Sequence, residues 1–351
     1  MPLAEMLDNL HHDADWRPRI TAWRTLPASP ARSADPPTGL DPRLVALLGA
    51  RGIDRLYAHQ VQAVSQALAG QHTMVVTPTA SGKTWCYNLP LLQALLTDDQ
   101  ARALYLFPTK ALAHDQLSTL RELVGVLGLP ARVAAYDGDT PTAQRAAIRR
   151  EARIVITNPD MLHVGILPNW VAWSEFLSHL RLVVIDEMHA YRGIFGSHVA
   201  NVLRRLQRLS HYLGSEPLTM GCSATIANPQ ELATRLLGHP VHLVTASGAP
   251  RATRDIVLIN PPLIDERLGV RLSALQQGQV LAVRLLREGV QSVLFVRSRR
   301  EVERLLMSLR GEAARLGLPA EAVRGYRAGY LAHERRAIEA GLRSGTVRLV
   351  I

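Results

Sequence analysis

The sequence predicts an α/β protein built on a mainly parallel sheet that helices cover on both faces. Short apolar, β-branched stretches alternate with longer stretches whose apolar residues recur at helical spacing. The most distinctive polar motifs follow the predicted strands directly, at the edge where ligands bind in open α/β sheets. With 351 residues the chain exceeds one ordinary core, so we expect two domains.

The overall composition narrows the class of partner. With 47% hydrophobic and 20% charged residues, the chain is typical of a soluble globular protein. Its net charge of +10 predicts a polyanionic partner, and nucleic acid is favoured over membrane because no basic amphipathic helix stands out. The alternative is an arginine-rich background that raises the charge without any purpose.

Cysteine usage and the N-terminus predict a compartment. Two cysteines, Cys86 and Cys222, cannot build a zinc site or a disulfide framework, and their apolar neighbours suggest buried thiols in a reducing environment. No apolar run approaches membrane-spanning length, and the acidic N-terminus lacks the apolar region of a signal peptide. We therefore expect a cytoplasmic protein with no membrane partner and no zinc in this portion.

Domain boundaries follow from where the alternation starts and stops. Residues 1–40 contain several prolines and little periodicity, so we expect an irregular N-terminal arm. Residues 41–247 predict the first domain, opened by the helix start Asp41-Pro42, with strands at Thr73–Val76, Ala103–Phe107, Arg132–Tyr136, Arg153–Ile156, Leu182–Ile185 and Leu218–Cys222. Residues 248–351 predict a linker containing the strand Asp255–Ile259 and then a second alternating block, with strands at Ser292–Val296, Ala322–Tyr326 and Val347–Ile351.

The stretch TPTASGKT, residues 77–84, predicts a phosphate-binding loop between a buried strand and a helix. Backbone N–H groups of such a loop face phosphate oxygens, and the helix dipole favours the same charge. Lys83 would reach the β- and γ-phosphates, and the Thr84 hydroxyl would hold Mg²⁺. The strict pattern asks for Gly at the first position, where this chain has Thr77; the other loop residues are Pro78, Thr79, Ala80, Ser81 and Gly82.

Lysine usage strengthens this prediction. The chain contains two lysines, Lys83 and Lys110, against 38 arginines. A background that avoids lysine still places a compact ammonium at the phosphate position, where the planar guanidinium of arginine is a poor substitute. The alternative, a chance GKT at a helix start, is correspondingly weaker.

The stretch LVVIDEMH predicts the second half of an ATPase site. Four apolar residues form a buried strand, and Asp186 directly after it would hold Mg²⁺. Glu187 would orient and deprotonate the attacking water. An ion-paired Asp–Glu at a strand end is the alternative, which the phosphate-binding loop makes much weaker.

Three further groups of motifs carry weaker signals. Gln60 would present its carboxamide to adenine, or be an exposed helical glutamine. Pro108-Thr109-Lys110 and Thr157-Asn158-Pro159-Asp160 suit the backbone phosphates of a single strand, with N-capping by Thr109 and Asn158 as the alternative. Ser223-Ala224-Thr225 would hydrogen-bond toward Asp186 and relay the nucleotide state, or merely cap a turn.

Taken together, the motifs resemble those of superfamily-two helicases of the DEAD/DEAH-box type. Within that group the chain is most similar to the bacterial mitomycin-repair-factor-type helicases, relatives of the fungal RecQ-like repair helicase. The resemblance spans about residues 20–351 and rests on LYAHQ, TPTASGKTWCYNLP, LYLFPTKALAHDQ, YDGDTP, ITNPDMLH, VVIDEMHAYRGIFGSHVANVLRRL, SATIANP and GYRAGYLAHERR.

The resemblance implies two RecA-like domains of the P-loop NTPase class, hydrolysis of ATP with Mg²⁺, and translocation on single-stranded or tailed nucleic acid. It favours DNA over RNA, a 3′ to 5′ direction and a role in DNA repair. It places ATP at Gln60 and residues 77–84, Mg²⁺ and water activation at Asp186 and Glu187, and coupling at His189 and residues 223–225. Strand contacts fall at residues 108–110, Gly138, residues 157–160, Arg297 and Ser298.

The sequence departs from the family at SGTVRLVI, where the second RecA-like domain should continue. The family's arginine-finger motifs and cysteine-rich zinc-binding domain lie beyond this point. We therefore expect an N-terminal portion that binds ATP but turns it over poorly. We also expect the last strand to have an unpaired edge that promotes aggregation.

Two alternatives stay open at this stage. An RNA helicase would use the same phosphate contacts, since no residue in the sequence can be assigned to a 2′-OH. A non-catalytic ATP- and strand-binding module is the alternative from another functional class.

Overall fold

The computed structural model describes residues 2–327 and 329–351. In chain order the strands are β1 Ile20–Leu26, β2 Ser33–Ala34, β3 Leu56–Tyr57, β4 Thr73–Val76, β5 Arg102–Leu106, β6 Arg132–Ala135, β7 Ala152–Thr157, β8 Leu180–Ile185, β9 Leu218–Ser223, β10 His242–Val244, β11 Arg254–Ile259, β12 Leu263–Asp265, β13 Val270–Arg271, β14 Ser292–Val293, β15 Val323–Arg324 and β16 Leu349–Val350. The α-helices are α1 Pro2–His12, α2 Pro42–Ala50, α3 Ala58–Leu68, α4 Thr84–Thr97, α5 Lys110–Val126, α6 Thr142–Glu151, α7 Pro159–Met161, α8 Ser174–Ser178, α9 Gly193–Tyr212, α10 Pro229–Leu237, α11 Ala274–Arg287, α12 Arg299–Arg315 and α13 Ala332–Ser344.

The chain divides into two compact units, one of which is Ala28–Ala252. Its centre is a seven-stranded sheet in the order β10-β4-β9-β8-β5-β7-β6, and every pairing in it is parallel. Strands β4, β5 and β7 are buried along their whole length, as expected for a sheet covered on both faces. The predicted α/β class with a parallel sheet is confirmed.

Two apolar layers hold this sheet between helices. Alternate strand residues such as Val75 and Tyr105 pack with α3, α4 and α5 on one face. Their neighbours Met74 and Leu104 point the other way and pack with α8, α9 and α10. Alternate side chains thus point to opposite faces of the sheet, and both faces are apolar. This alternation fixes the strand register and therefore the position of each strand end.

Six strands of the sheet were predicted, each within two residues of its observed bounds at both ends. The seventh, β10, was missed because it is three residues long and carries no periodicity of its own. It pairs with β4 at the edge of the sheet and thereby gives the strand that leads into the phosphate-binding loop a neighbour on each side. Asp41 caps α2 as predicted, since its side chain accepts a hydrogen bond from the backbone N–H of Arg43, with Pro42 in the first turn.

The second unit joins the N-terminal residues up to Pro27 with Thr253–Ile351. The predicted irregular arm is therefore wrong for its first part, which contains helix α1 and strand β1. Met6, Leu10 and Trp16 bury their side chains in one small apolar cluster, and β1 pairs antiparallel with β11. Sequence reasoning missed this strand because its partner lies more than 200 residues away and its surface is mostly exposed.

The carboxyl-terminal part of this unit contains a parallel three-stranded sheet in the order β14-β16-β15. The prediction that the last strand has an unpaired edge is wrong. Strand β16 lies in the middle, and Leu349 and Val350 pair with β14 on one side and β15 on the other. Both are buried, so the apolar end of the sequence is explained by a central position in this sheet.

Across residues 2–327 and 329–351, every helix is too short or too polar to cross a membrane.

Candidate functional site

The strand order brings the predicted motifs together in two groups at the carboxyl edge of the seven-stranded sheet. Adjacent strands β4, β9 and β8 end in residues 77–84, 223–225 and 186–189, which we call the nucleotide edge. Strands β5, β7 and β6 end in residues 108–110, 157–160 and 137–139, which we call the outer edge. Motifs far apart in sequence are neighbours here because the sheet is parallel and its connections are crossovers.

The phosphate-binding loop is closed on itself by short polar contacts. The Thr77 and Ser81 hydroxyls lie 2.7 Å apart across the loop, and Lys83 Nζ donates to the carbonyls of Thr77 and Pro78 at 3.0 Å each. Ala80 and Gly82 have positive φ angles of 60° and 79°, which turn the backbone sharply before α4 begins at Thr84. The loop thus holds an ammonium and a helix N-terminus where a phosphate would bind.

Thr77 replaces the glycine of the strict loop pattern without strain. Its φ is not among the positive values of the described residues, and its side chain is fully buried. The Thr77 hydroxyl makes a hydrogen bond with Ser81 that connects the two ends of the loop, and a glycine could not make this bond. The departure from the pattern is therefore compatible with phosphate binding.

Gln60 links the phosphate-binding loop to the start of α3 by hydrogen bonds. Its side chain is 3% exposed, its Oε1 accepts from the Tyr57 backbone N–H at 2.8 Å, and its Nε2 donates to the Gly82 carbonyl at 2.8 Å. The alternative of an exposed helical glutamine is wrong. A cleft of about 580 Å³ opens beside this contact, and it is lined by Gly52, Ile53, Asp54, Arg55, Tyr57, Gln60, Ala80, Gly82 and Trp85. Its place next to the loop suits a nucleobase, while the Gln60 carboxamide is engaged by the loop itself.

Asp186 and Glu187 follow β8, two strands away from the loop strand β4. Asp186 Oδ1 accepts from the Glu187 backbone N–H at 2.7 Å, and Oδ2 accepts from Tyr87 Oη at 3.0 Å. Glu187 has a left-handed backbone with φ 51°, a conformation that costs a non-glycine residue about 1–3 kcal/mol and that clusters at functional sites. The aspartate is thus fixed from both sides, and the glutamate is turned by a strained backbone.

These groups fit a hydrated Mg²⁺. Carboxylate and hydroxyl oxygens are the ligands that this ion prefers, and Asp186 with the Thr84 hydroxyl supplies them. Glu187 Oε2 is buried and, among the described residues, accepts no hydrogen bond. Its nearest basic atom is His189 Nδ1 at 3.3 Å.

His189 connects this pair to the end of β9. Its Nδ1 lies 3.4 Å from the backbone N of Ala224 and 3.4 Å from Ser223 Oγ. The predicted bond from Ser223 toward Asp186 is wrong, because the hydroxyl donates to the Ala224 carbonyl at 2.8 Å. Thr225 is exposed. His189 Nδ1 therefore lies between Glu187 and the Ser223-Ala224 pair.

Tyr87 contacts Asp186 and was given no role by the sequence motifs. It lies one turn into α4 after Thr84 and is fully buried, with Tyr105 stacked edge-on at 5.7 Å. Burial and the Asp186 charge raise the pKa of Tyr87 well above its usual value, so the phenol stays a donor at neutral pH. The only available signal was a phenol in an otherwise apolar run, which reads as core packing.

The two cysteines lie in the core beneath the nucleotide edge. Both are fully buried, and burial raises the pKa of Cys86 to about 12. Cys222 behaves in the same way for the same reason, since burial raises its pKa well above the usual value. Neither thiol is available as a nucleophile at neutral pH.

The outer edge carries one cation that is accessible and already paired. Lys110 Nζ lies 2.6 Å from Asp139 Oδ2, and both side chains are largely exposed. Their hydrogen bond raises the pKa of Lys110 and lowers that of Asp139. Gly138 lies beside this pair, and a Cβ built on it would stand 3.9 Å from Lys110 Nζ. A phosphate binding here must compete with Asp139.

Other predicted strand contacts divide into available and unavailable groups. Thr157 is unavailable, because it is buried and its hydroxyl donates to the Tyr136 carbonyl at 2.5 Å. Asn158 caps α7 by accepting from the Met161 N–H, which is the capping alternative. Thr109 is exposed and its side chain makes no cap bond, so the capping alternative is wrong there. Asp160 is exposed and Pro108 half-buried.

Arg297 and Ser298 lie in the other unit. Ser298 caps α12, since its hydroxyl accepts from the Glu301 N–H at 3.2 Å. Arg297 is exposed at the start of the same helix. A cation next to a capped helix N-terminus is compatible with a phosphate contact.

The fold and the nucleotide edge define a class of protein. A phosphate-binding loop and an Asp–Glu pair on one edge of a parallel sheet form the site of an α/β P-loop nucleoside triphosphatase. The chain belongs to the DEAD/DEAH box helicase family, whose profile matches residues 57–232. The family predicted from the sequence is confirmed.

Individual relatives extend the likeness over the whole chain. It is 45% identical over 345 residues to the uncharacterized ATP-dependent helicase YprA of Bacillus subtilis strain 168, covering 98% of this chain and 46% of YprA. It is 36% identical over 360 residues to the ATP-dependent helicase hrq1 of Schizosaccharomyces pombe, covering 99% of this chain and 34% of hrq1. The crystal structure of the DUF1998 helicase MrfA bound to DNA and AMPPNP matches with a TM-score of 0.93 at 44% identity, covering 99% of this chain and 48% of MrfA. The chain thus spans less than half the length of each.

Proposed function

We propose that the whole protein is an ATP-dependent helicase or translocase that hydrolyses ATP to move on single-stranded DNA. The observation that carries this proposal is the nucleotide edge. Lys83, the Asp186–Glu187 pair and His189 are brought to one sheet edge and held there by hydrogen bonds and close polar contacts. Polar groups held in this way suit catalysis, which gains most from groups that need no reorganisation.

Each residue has a role in this proposal. The loop amides and Lys83 bind the β- and γ-phosphates, and the Thr84 hydroxyl and Asp186 hold Mg²⁺. When bound, Mg²⁺ supplies charge neutralisation at the phosphates. Glu187 orients a water molecule and accepts its proton, while its Oε2 lies 3.3 Å from His189 Nδ1. His189 passes the change to Ser223 and Ala224.

The proposed polynucleotide partner is DNA. The net charge of +10 supports a polyanion, and the matched structure of MrfA is bound to DNA. On this chain the proposed contacts are Lys110, Gly138, Thr109 and Asp160 on the outer edge, with Arg297 and Ser298 in the other unit. The groups offered by this edge address sugar and phosphate, so binding is expected to be indifferent to base sequence.

The resemblance to repair-factor-type helicases supports three further proposals. They are a role in DNA repair, movement in the 3′ to 5′ direction, and work in the cytoplasm on nucleoid DNA. None of these depends on an individual contact described above, so each needs its own measurement.

The function is tested by strand-stimulated ATP hydrolysis in the whole protein. Turnover is measured with single-stranded DNA, with RNA of the same sequence and without polynucleotide, and unwinding is followed on tailed duplexes. We expect stimulation by DNA, little by RNA, and unwinding of duplexes with a 3′ tail. Greater stimulation by RNA would assign the protein to RNA, whereas ATP and strand binding with no turnover would assign a non-catalytic module.

A further inference from the structure

We infer that Tyr87 is a positioning residue for the magnesium ligand Asp186. Its hydroxyl donates to Asp186 Oδ2 at 3.0 Å from a fully buried position on α4. The inference rests on the proposed function, since it presupposes that Asp186 holds Mg²⁺ with ATP. It adds a residue to which the sequence motifs assigned no role.

The geometry gives the phenol a specific task. Asp186 Oδ1 already accepts the Glu187 N–H at 2.7 Å, so the carboxylate is tied to the chain by one oxygen. With this hydrogen bond alone, the Asp186 carboxylate could still rotate about Oδ1. The second hydrogen bond, from Tyr87 to Oδ2, prevents that rotation. Each oxygen then keeps a lone pair for the ion's hydration shell. Groups that orient a metal ligand in this way commonly change metal affinity by about 10–100-fold when removed.

The same bond joins the two halves of the site. Tyr87 lies three residues after Thr84 on the helix that starts at the phosphate-binding loop, while Asp186 ends β8. A movement of α4 on nucleotide binding would therefore reach the aspartate directly. Packing alone requires only the ring, because the ring contacts Tyr105 edge-on and the surrounding cluster is apolar.

The chain offers a matched control in Tyr105. It is equally buried and belongs to the same aromatic pair, and among the described residues its hydroxyl donates to Asn88 Oδ1 at 2.9 Å rather than to Asp186. Tyr105→Phe removes a buried hydrogen bond at the same depth as Tyr87→Phe. Any effect common to both substitutions is a packing effect. A difference between them reports on the polar contacts of the Tyr87 hydroxyl, and the cycle with Asp186→Asn described below assigns it to Asp186.

The experiment measures binding of a fluorescent ATP analogue to residues 1–351 while free Mg²⁺ is raised from chelated to saturating. For Tyr87→Phe we expect the half-saturating Mg²⁺ concentration to rise about tenfold, with analogue affinity in chelator unchanged. Tyr105→Phe should leave both quantities at the wild-type values. Thermal unfolding of the two variants is recorded in parallel.

A double-variant cycle with Asp186→Asn keeps the inference testable if Tyr87→Phe is less stable than its control. Once the carboxylate is gone, adding Tyr87→Phe should change the Mg²⁺ dependence no further. An unchanged half-saturating concentration in Tyr87→Phe, an equal shift in Tyr105→Phe, or an additive effect in the cycle would overturn the inference.

Failure of the proposed function would look different. A wild-type chain that does not bind the analogue, or a Lys83→Ala chain that binds it as well as wild type, would remove the ATP site and the Tyr87 inference with it. Analogue binding that depends on Lys83 and Mg²⁺ but is insensitive to Tyr87 would remove the inference alone.

Discussion

The nucleotide edge and the outer edge of the same sheet use their polar residues in opposite ways. On the nucleotide edge, Lys83, Asp186 and His189 lie at the ends of neighbouring strands and are each held by internal contacts. On the outer edge, the Thr157 hydroxyl donates to the Tyr136 carbonyl and Asn158 Oδ1 accepts from the Met161 N–H, so these atoms serve the protein itself. A polar residue at a strand end is thus no proof of a ligand contact.

The difference follows from what each edge is proposed to do. Hydrolysis needs groups fixed within a fraction of an ångström, and the hydrogen bonds of the nucleotide edge hold Lys83 and Asp186 in place. A translocating strand needs accessible charge and must slide, which a rigid set of directional bonds would oppose. Lys110, exposed and held by one carboxylate, suits the second task.

The largest expected effect comes from the nucleotide edge. Glu187→Gln keeps the shape of the side chain but removes the base, so hydrolysis in the whole protein should fall by several orders of magnitude while ATP binding persists. Steady-state turnover and analogue affinity measure the two quantities separately. Near-normal turnover in Glu187→Gln would mean that another group activates the water. The contrast between the nucleotide edge and the outer edge would then lose its basis.

A smaller effect, on ATP affinity, is expected from Gly82→Ala. This substitution tests whether the contact with Gln60 fixes the phosphate-binding loop. A Cβ there would meet Gln60 Nε2 at 2.6 Å, and the residue has φ +79°. Relief of this clash must displace the loop that binds the phosphates, so we expect ATP affinity to fall about tenfold, which corresponds to about 1.4 kcal/mol. Equilibrium titration with the fluorescent analogue measures it.

Gly70→Ala is the matched control for this loop variant. Gly70 has a similar φ of +73° but nothing within 4 Å of its Cβ position, and it lies at the end of α3 away from the loop. We expect a lower unfolding temperature and unchanged ATP affinity. Equal losses of affinity in both variants would mean that backbone strain alone, and not the Gln60 contact, governs the loop.

How far the sequence predicted this molecule depends on the range of the interactions. The strands β4 to β9 and the loop were predicted because buried parallel strands and small-residue loops carry local signals. Strand β1 and the central place of β16 were not, because both depend on pairing with distant segments. The local sequence of a strand does not identify the distant strand with which it pairs.

The site divides along the same line. Residue types at the nucleotide edge were predicted, since their chemistry demands them, but Tyr87 was not, because a tyrosine in an apolar helix looks like packing until Asp186 is seen beside it. At the outer edge, the hydroxyl of Thr157 was predicted to face outward. Only the position of the Tyr136 carbonyl shows that it faces inward.

Lys110→Ala addresses the outer edge and should have a moderate effect. Removing one phosphate contact should weaken binding to all single-stranded sequences alike and lower the salt slope by about one unit. Asp139→Asn is the opposite test, since it removes the carboxylate that competes for Lys110 and should strengthen binding at low salt. Fluorescence anisotropy over a series of salt concentrations measures both. A sequence-dependent loss, or an unchanged slope, would contradict a backbone contact.

The smallest expected effect on DNA binding is also the sharpest test of the contrast within the outer edge. Thr157→Val removes a hydroxyl that serves the Tyr136 carbonyl inside the protein, so DNA affinity should change less than about twofold. Stability should fall by about 1–3 kcal/mol, because a buried acceptor is left unsatisfied.

Thr109→Val should have the reverse effect, because the Thr109 hydroxyl is exposed and makes no cap bond. We expect unchanged stability and a loss in DNA affinity of about 2–10-fold. Denaturant unfolding and anisotropy separate the two outcomes. If Thr157→Val weakened DNA binding as much as Thr109→Val while leaving stability intact, the hydroxyl would have to turn outward on binding. The outer edge would then rearrange around its strand instead of offering fixed groups to it.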